Sequence, residues 1–586
     1  MNPSKLDILF LSVPVLDLQY PPSSAAVLKA CIKQAGYSAR VIDTNILLKD
    51  ICEQEFGDVS NEFETISKGS IADNFVESLF DNHCKLVQQW LDRVVQDIKD
   101  YNPAWLGISI FSYKSHKAAL LVALTIKQKF PDIQIVVGGR GASSYPFGPD
   151  FTAFKDKFKE LVNKDVSDTM GGSLLSAGIV DSFIDGDAEQ EIINLLSTSA
   201  SRLSGNIKTL DLETVPPSDY DDFDLEKYEY VNEPTLSITG SKGCVRQCTF
   251  CDIPVLWPKF KFRSGAHIAK EMIALNERYS VNKFYMSDSL VNGSLVAFKD
   301  FLRTMADYNT QNPTNTIRWV GQYITRPVHQ VHQVENYYDL LATSGAEGLT
   351  IGVESGSDAV REHMRKKFST FDIDTELAEF DKRSITCVLL FFSCYPTETW
   401  QDFVDTAKML IRYQKYCASG TVYKLTLGIP YTHHRNTPLW NMQEKIKLEY
   451  NESSDIMWLL KDNPDLTFHE RIRRRLILQE LCFALALPLS RNAAELNQLK
   501  YTLQYHRSSL EEYFGTPAPI NIYPDVFNIT PFDNILMPLE LQRTAYSHLI
   551  AHPELNQQIK NKHKDSEQDI AYDIEGYNNL RDELGK

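Results

Sequence analysis

Short apolar runs alternate with amphipathic stretches through the first 200 residues of the chain. Runs of strand length, such as LDILFLSV and DIQIVVGG, are followed by segments with helical spacing, such as Ser24–Gly36 and His116–Phe130. Strands that alternate with helices of about 10–15 residues indicate βαβ units and a mostly parallel sheet. The pattern therefore predicts an α/β domain with a Rossmann-like parallel sheet over residues 1–200, with inserts near residues 45–100 and 146–178.

A second strand–helix series begins at LSITGSKGC, after an acidic, Pro-containing segment at 201–234 that is typical of a linker. The predicted strands are Leu236–Thr239, Lys283–Met286, Ile317–Tyr323, Gly348–Val353, Cys387–Phe392 and Tyr423–Leu427. Six strand–helix repeats favour a partial (βα)6 barrel over residues 235–440. Residues 441–586 are polar, with one strong apolar helix after His469, and we expect a helical C-terminal region. In parallel α/β folds, ligands bind at the carboxyl ends of the strands.

The amino-acid composition of the chain limits the kinds of molecule that we expect it to bind. The chain has 60 Lys+Arg against 77 Asp+Glu, a net charge of −17, so general binding to nucleic acid is not expected. Its sequence offers no run of about 18 apolar residues, so we expect no membrane partner. The apolar segment near the N-terminus predicts a buried strand rather than a signal peptide. Seven of the ten cysteines are scattered singly, which argues against a disulfide framework and favours a reducing, cytoplasmic location.

The other three cysteines form a compact group. Cys244, Cys248 and Cys251 lie within eight residues, directly after the first strand of the second series. A structural zinc site is one interpretation, but such sites normally take four ligands, and the nearest downstream histidine is His267. Three thiolates on a four-iron cluster would leave one iron free to bind a small molecule. We therefore favour an iron–sulfur cluster as the ligand of these cysteines.

This C-x₃-C-x₂-C motif at the end of the first strand of a six-fold βα series resembles that of the radical S-adenosylmethionine (SAM) superfamily. The resemblance implies that the cysteines hold a 4Fe-4S cluster and that its open iron binds SAM. It also implies reductive cleavage of SAM to a 5′-deoxyadenosyl radical. Phe250 stands where the family places an aromatic residue beside the adenine, and Ser241-Lys-Gly243-Cys244 matches the family's lead-in to the motif.

Further segments match the family in order along the chain. Phe284-Tyr-Met-Ser-Asp288 ends the second strand, where the family places polar groups near the methionine moiety. Gly352-Val-Glu354-Ser-Gly356-Ser resembles the turn after the fourth strand. The resemblance assigns catalytic and cofactor-binding roles to Asp288 and Glu354. The alternatives are that Asp288 caps a helix and that Glu354 is a solvated or salt-bridged loop carboxylate.

The N-terminal domain resembles the cobalamin-binding module that is fused to many radical SAM enzymes. The resemblance makes cobalamin a cofactor and assigns its binding to residues at strand ends: Ser109, Gly138, Gly139, Gly186 and Glu189. Small residues at these positions would let a flat ring or phosphate tail approach the backbone closely. The D-x-H-x-x-G motif, which supplies an axial histidine, is absent. The alternative is a Rossmann-like domain without a ligand.

Three other features attract attention. The run Arg471–Arg475 is expected to form a solvated helix face or to provide partners for acidic surface residues, with a substrate-anion contact as the alternative. The pair His433–His434 follows the sixth strand and indicates either loop polarity or a substrate-facing position. Cys394 is expected to be a buried core thiol, with a radical or proton-transfer role as the alternative.

These observations favour a radical SAM enzyme, specifically a cobalamin-dependent methyltransferase that acts on an unactivated centre. One alternative is a radical SAM enzyme that does not use cobalamin and keeps the N-terminal domain as a scaffold. Another is a non-catalytic metal-binding protein. The expected partners are a small-molecule or peptide substrate and an electron donor such as flavodoxin or ferredoxin.

Overall fold

The computed structural model describes residues 5–14, 18–57, 80, 85–144, 169–197, 211–228, 233–434, 437–451, 454–489 and 537–562. These residues form two compact units. The first consists of the described residues within 1–69, 73–238 and 271–283, and the second of those within 239–270 and 284–586.

The first unit contains a five-stranded parallel sheet with the order β2-β1-β3-β4-β5. Its strands are β1 (Leu6–Ser12), β2 (Ala39–Asp43), β3 (Pro103–Ser109), β4 (Gln134–Gly138) and β5 (Ser182–Ile184). Its helices are α1 (Ser23–Gln34), α2 (Thr44–Phe56), α3 (Lys85–Tyr101), α4 (His116–Lys129), α5 (Met170–Ser176) and α6 (Glu189–Ser197). This order confirms the predicted Rossmann-like sheet. Successive strands are added on opposite sides of β1, so the strand order reverses between β1 and β3. Doubly wound sheets bind their ligands at this point.

Acidic residues of the predicted linker pack within the first unit. Lys29 on α1 is buried and forms ion pairs with Asp219 at 3.0 Å and with Asp222 at 2.7 Å. Tyr220 is also buried, and its hydroxyl group donates to the carbonyl oxygen of Ser237. Residues 211–228 of this segment are therefore anchored by charge pairs and buried aromatic groups.

A six-stranded sheet with the order β13-β12-β11-β10-β9-β6 forms the core of the partial barrel. Its strands are β6 (Thr235–Ile238), β9 (Lys283–Met286), β10 (Arg318–Tyr323), β11 (Leu349–Glu354), β12 (Cys387–Phe391) and β13 (Val422–Leu427). All six were expected from the sequence, with bounds that agree to within one residue. Between them lie β7 (Ser241–Lys242), α7 (Ile253–Leu256), β8 (Lys261–Phe262), α8 (Gly265–Tyr279), α9 (Leu295–Gln311), α10 (Val328–Val331), α11 (Tyr337–Thr343), α12 (Asp358–His363), α13 (Thr370–Lys382) and α14 (Trp400–Ser419).

The C-terminal region is only partly helical. The strands β14 (Leu448–Asn451) and β15 (Ser454–Leu460) form an antiparallel pair, so the expectation of helix here was wrong. Leu448, Trp458 and Leu460 are buried in one hydrophobic cluster, and this cross-strand packing favours the hairpin. The expected apolar helix is α15 (Phe468–Ala484), and it is followed by α16 (Leu539–Ala551) and α17 (Pro553–Lys562). Among the described residues, none of the helices has the length and apolar character needed to span a membrane.

Candidate active site

The three clustered cysteines lie on a loop that is closed by a short antiparallel hairpin. Ser241 of β7 pairs with Phe262 of β8, so the chain leaves and returns at the same point. The middle of this cysteine loop, which we define as residues 243–260, is tied to the barrel. The backbone N–H of Thr249 donates to the carbonyl oxygen of Met364, and the hydroxyl groups of Thr249 and Tyr395 lie 2.8 Å apart.

The cysteine side chains are free thiols in a largely buried setting. Burial raises the pKa of Cys244, of Cys248 and of Cys251, the last to about 12. Without metal the three groups are therefore protonated near neutral pH. Because iron binds the thiolate form, cluster binding here must release protons.

Glu354 is held by a lysine that the sequence analysis missed. A register shift at the end of β11 and a φ of 67° at Glu354 turn its side chain toward Lys366. The Lys366 ammonium donates to Glu354 Oε1 at 2.7 Å and to the carbonyl oxygen of Gly352 at 2.9 Å. A Cβ atom at Gly352 would lie 2.8 Å from Lys366 Nζ, so the glycine makes room for this pair.

Lys366 also links Glu354 to the cysteine loop. Its ammonium lies 5.5 Å from the ring centroid of Phe250. Burial lowers the pKa of Lys366, but the charges of Glu354 and Cys248 outweigh burial and raise this pKa overall. The structure therefore brings Phe250, Glu354 and the cysteines together and places the buried cation of Lys366 among them.

Two arginines lie near the same loop. Arg246 stands between the first two cysteines, and its Nε and Nη2 atoms are buried without a hydrogen-bond partner among the described residues. Arg326 donates to the backbone carbonyl oxygens of Asn292 and Gly293. Desolvation lowers the pKa of Arg246, and the neighbouring charge of Arg326 lowers it further. Its position inside the cysteine motif is visible in the sequence, but its burial is not.

Asp288 faces the segment that leads into the cysteine loop. The backbone N–H of Gly240 donates to its Oδ2 atom at 2.9 Å, and burial raises the pKa of the Asp288 carboxyl to about 6. The next helix, α9, is capped by the side chain of Ser294, so the interpretation of Asp288 as a helix cap was wrong. Its contact fixes the entry to the loop, and its role in binding SAM stays a prediction.

Three of the four arginines in the run on α15 are buried, so the expectation of a solvated face was wrong for them, whereas Arg473 is partly exposed and pairs with Glu470. Arg471, whose guanidinium stacks over the ring of Trp458, donates to two backbone carbonyl oxygens. Arg474 pairs with Glu398 at 3.1 Å. Arg475 donates to carbonyl oxygens at the end of β13. Backbone carbonyls and the carboxylates of Glu398 and Glu470 take the place of water around these charges.

Two other sequence candidates are core residues. Cys394 is fully buried in a hydrophobic cluster, as expected of a core thiol. His433 is buried and stacks on Trp440 with ring centroids 4.8 Å apart, so it does not face solvent. His434 is exposed.

The residues proposed for cobalamin lie along one edge of the first sheet. Ser109 ends β3 and pairs with Gly138 at the end of β4. Gly139 has a φ of 99°, and a Cβ atom there would lie 2.6 Å from the Ile110 carbonyl oxygen, so the backbone alone requires glycine at this position. Gly186 follows β5 with a φ of 101°, and Glu189 begins α6. Phe111 is an exposed aromatic residue just beyond β3 that the sequence analysis missed.

Residues 238–410 match the model of the Radical SAM superfamily. This chain contains a radical SAM domain. The match begins at the end of β6 and includes the three cysteines, Phe250 and Glu354.

Curated relatives share this domain at low identity. The chain is 24% identical to cytidylyl-2-hydroxyethylphosphonate methyltransferase of Streptomyces wedmorensis over 169 residues, which cover 27% of this chain and 29% of that protein. It is 19% identical to the anaerobic magnesium-protoporphyrin IX monomethyl ester cyclase of a Synechocystis strain over 321 residues, which cover 52% and 58%. The chain thus spans between 29% and 58% of the length of these two relatives.

Solved structures extend the similarity beyond the radical SAM domain. The cobalamin-dependent SAM radical enzyme OxsB, with aqua-cobalamin bound, aligns with a TM-score of 0.58 and 13% identity over 99% of this chain and 80% of that one. The radical SAM methyltransferase TsrM of Kitasatospora setae aligns with a TM-score of 0.52 and 14% identity over 81% and 89%. At this identity the comparison establishes the fold.

The donor set of the radical SAM domain fits a 4Fe-4S cluster. Three free thiols lie on one loop beside cationic side chains, and Arg246 has unsatisfied donors. Within the ranges that the structure describes, no three His, Cys, Asp or Glu side chains are arranged to hold a single metal ion. Thiolates that each bind a different iron need not converge on one point, so this arrangement is compatible with a cluster.

Proposed function

We propose that this chain is a cobalamin-dependent radical SAM methyltransferase that acts on an unactivated centre of a small-molecule or peptide substrate. The observation that carries the proposal is the cysteine loop of the radical SAM domain, with Phe250 and the Glu354–Lys366 pair beside it. A Rossmann-like sheet on the same chain supports the cobalamin part. So does the alignment with OxsB, whose structure contains aqua-cobalamin, over 99% of this chain.

In this proposal, the thiolates of Cys244, Cys248 and Cys251 hold three irons of the cluster. When bound, the cluster would supply the electron for reductive cleavage of SAM, which starts the radical chemistry. Phe250 offers an apolar face beside the loop. Glu354 can accept hydrogen bonds from SAM as well as from Lys366, and a charged acceptor makes such bonds stronger.

The edge of the first sheet is the proposed cobalamin site. Ser109, Gly138 and Gly186 have small side chains or none, so a ligand can approach the backbone closely at the carboxyl ends of these strands. A radical SAM enzyme that does not use cobalamin is the second candidate, because the fold itself explains Gly139.

The cluster part is tested by anaerobic reconstitution with iron and sulfide. The variant with all three loop cysteines replaced by Ala should lose bound iron, sulfide and the broad visible absorbance. Cys31→Ala, on α1 of the first unit, is the control and should retain them. Equal iron and sulfide content in the triple variant and the unmodified protein would reject the assignment.

The cobalamin part is tested on the same reconstituted protein. Co-purified or added cobalamin should remain bound after gel filtration and give a corrin absorbance. With dithionite or flavodoxin as electron donor, candidate substrates should gain a methyl group, detected by mass spectrometry. Formation of 5′-deoxyadenosine without any retained corrin would favour the cobalamin-independent candidate.

A further inference from the structure

Arg246 is a buried cation with one edge of its guanidinium group unsatisfied. The residue is 8% exposed, and both Nε and Nη2 are buried. Among the described residues, no group accepts a hydrogen bond from either atom. Buried donors without acceptors are costly and uncommon in native proteins. Nε and Nη2 point in parallel from the same edge of the group, so they suit an acceptor with two adjacent electron-rich atoms.

Two more cations lie in the electrostatic surroundings of Cys244, together with Arg246. Arg246, Arg326 and Lys366, which we call the cationic shell, are all electrostatic neighbours of Cys244. Lys366 is paired with Glu354, and Arg326 donates to backbone carbonyl oxygens. A four-iron cluster on three thiolates carries a net negative charge, which grows when the cluster accepts an electron. The cationic shell is therefore positioned to compensate that charge.

We propose that Arg246 is a redox-tuning residue that donates hydrogen bonds to the sulfur atoms around the cluster and, with the rest of the cationic shell, raises its reduction potential. This inference rests on the proposed function, because it requires a cluster on the three cysteines. Hydrogen bonds to the sulfurs and the local charge are known determinants of cluster potential. A buried cation favours the reduced state, since that state carries the additional negative charge.

The test is a redox titration of the reconstituted protein followed by electron paramagnetic resonance. Arg246→Gln removes the charge, and Arg246→Lys retains it without the two-donor edge. Arg303→Gln removes the same charge from an exposed position on α9 and serves as the matched control. We expect Arg246→Gln to disfavour one-electron reduction at least tenfold, a shift of about 59 mV to more negative potential. Arg246→Lys should shift less, and Arg303→Gln should match the unmodified protein.

The possible outcomes separate tuning from a structural role. Full iron and sulfide content with an unchanged potential in Arg246→Gln would overturn the proposal. If the cluster is lost in Arg246→Gln but kept in Arg246→Lys, a more negative potential in Arg246→Lys supports the proposal, and an unchanged potential there overturns it. Loss in both variants would mean that Arg246 maintains the fold of the loop, and would overturn it. An unmodified protein that assembles no cluster contradicts the proposed function as well, whereas the other failures leave that function intact.

Discussion

Replacing Glu354 by Gln removes the carboxylate partner of Lys366 and preserves the shape of the side chain. The paired side chains are 12% and 10% exposed, with Oε1 and Nζ 2.7 Å apart. Breaking a buried pair from one side costs about 3–5 kcal/mol, because the other charge stays buried without compensation. The carbonyl oxygen of Gly352 still accepts from Lys366. We therefore expect a cost of about 3 kcal/mol, at the lower end of that range.

The cost should depend on whether the cluster is bound. All three cysteines of the loop are further electrostatic neighbours of Lys366, and iron binding converts them to thiolates. In the loaded protein these thiolates compensate Lys366, so Glu354→Gln should cost less than in the metal-free protein. Lys366→Met should behave in the opposite way, because it leaves Glu354 facing the added negative charge.

Hydrogen exchange measured by mass spectrometry is the suitable assay, because a melting curve would mix the transitions of two units. Peptides from β11 and β12 report the local unfolding free energy, with and without reconstitution. The yield of 5′-deoxyadenosine per cluster, measured on the same samples, separates the two roles of Glu354. A purely structural pair leaves this yield unchanged, whereas loss of a charged hydrogen bond to SAM lowers it about tenfold or more. Equal costs in metal-free and loaded protein would refute the shared-charge reasoning.

Three further predictions concern stability. Burial raises the pKa of Glu376 to about 8, so its stabilising contribution is lost as pH rises from about 4.5 through 8. In Glu376→Gln, the unfolding free energy measured across that pH range should therefore fall less steeply. Gly139→Ala should destabilise the first unit by more than about 1 kcal/mol, measured by hydrogen exchange of peptides from β3 and β4, whereas Gly138→Ala, whose Cβ would lie 3.5 Å from its nearest neighbour, should not. Lys29→Met removes the buried cation between Asp219 and Asp222, which retain Lys33 and Arg40 as partners, and should cost about 3 kcal/mol in hydrogen exchange of peptides from α1, against less than about 1 kcal/mol for the half-exposed Lys33→Met.

Most strands of both sheets were predictable because they are short segments rich in apolar residues. The observed β9 (Lys283–Met286) has the predicted bounds, and β12 differs by one residue. The cysteines were equally visible, since their spacing is local. Glu354 was expected at the end of β11, and the structure places it there.

Lys366 was not predictable from local pattern. It lies twelve residues beyond Glu354 and returns to it through α12 and a turn in which Arg365 and Lys367 both have positive φ, 62° and 59°. Non-glycine residues rarely adopt that conformation, and tertiary contacts must stabilise it. Among the described residues, the Nε and Nη2 atoms of Arg246 have no hydrogen-bond acceptor. This follows from how the loop is buried, which the motif alone does not predict.

The arginine run on α15 shows why a charge pattern alone misjudges burial. Parallel strands present carbonyl oxygens at their carboxyl ends, and a helix that packs there can satisfy its own donors with them. Arg475 does so at Leu427 and Gly428, the end of β13, and Arg474 reaches Glu398 in the loop after β12. Each of these arginines donates hydrogen bonds to oxygen atoms of the barrel that would otherwise need water as a donor. The sequence boundary near residue 440 therefore divides a single compact unit, and α15 belongs to the wall of the barrel at the strand ends where the proposed chemistry takes place.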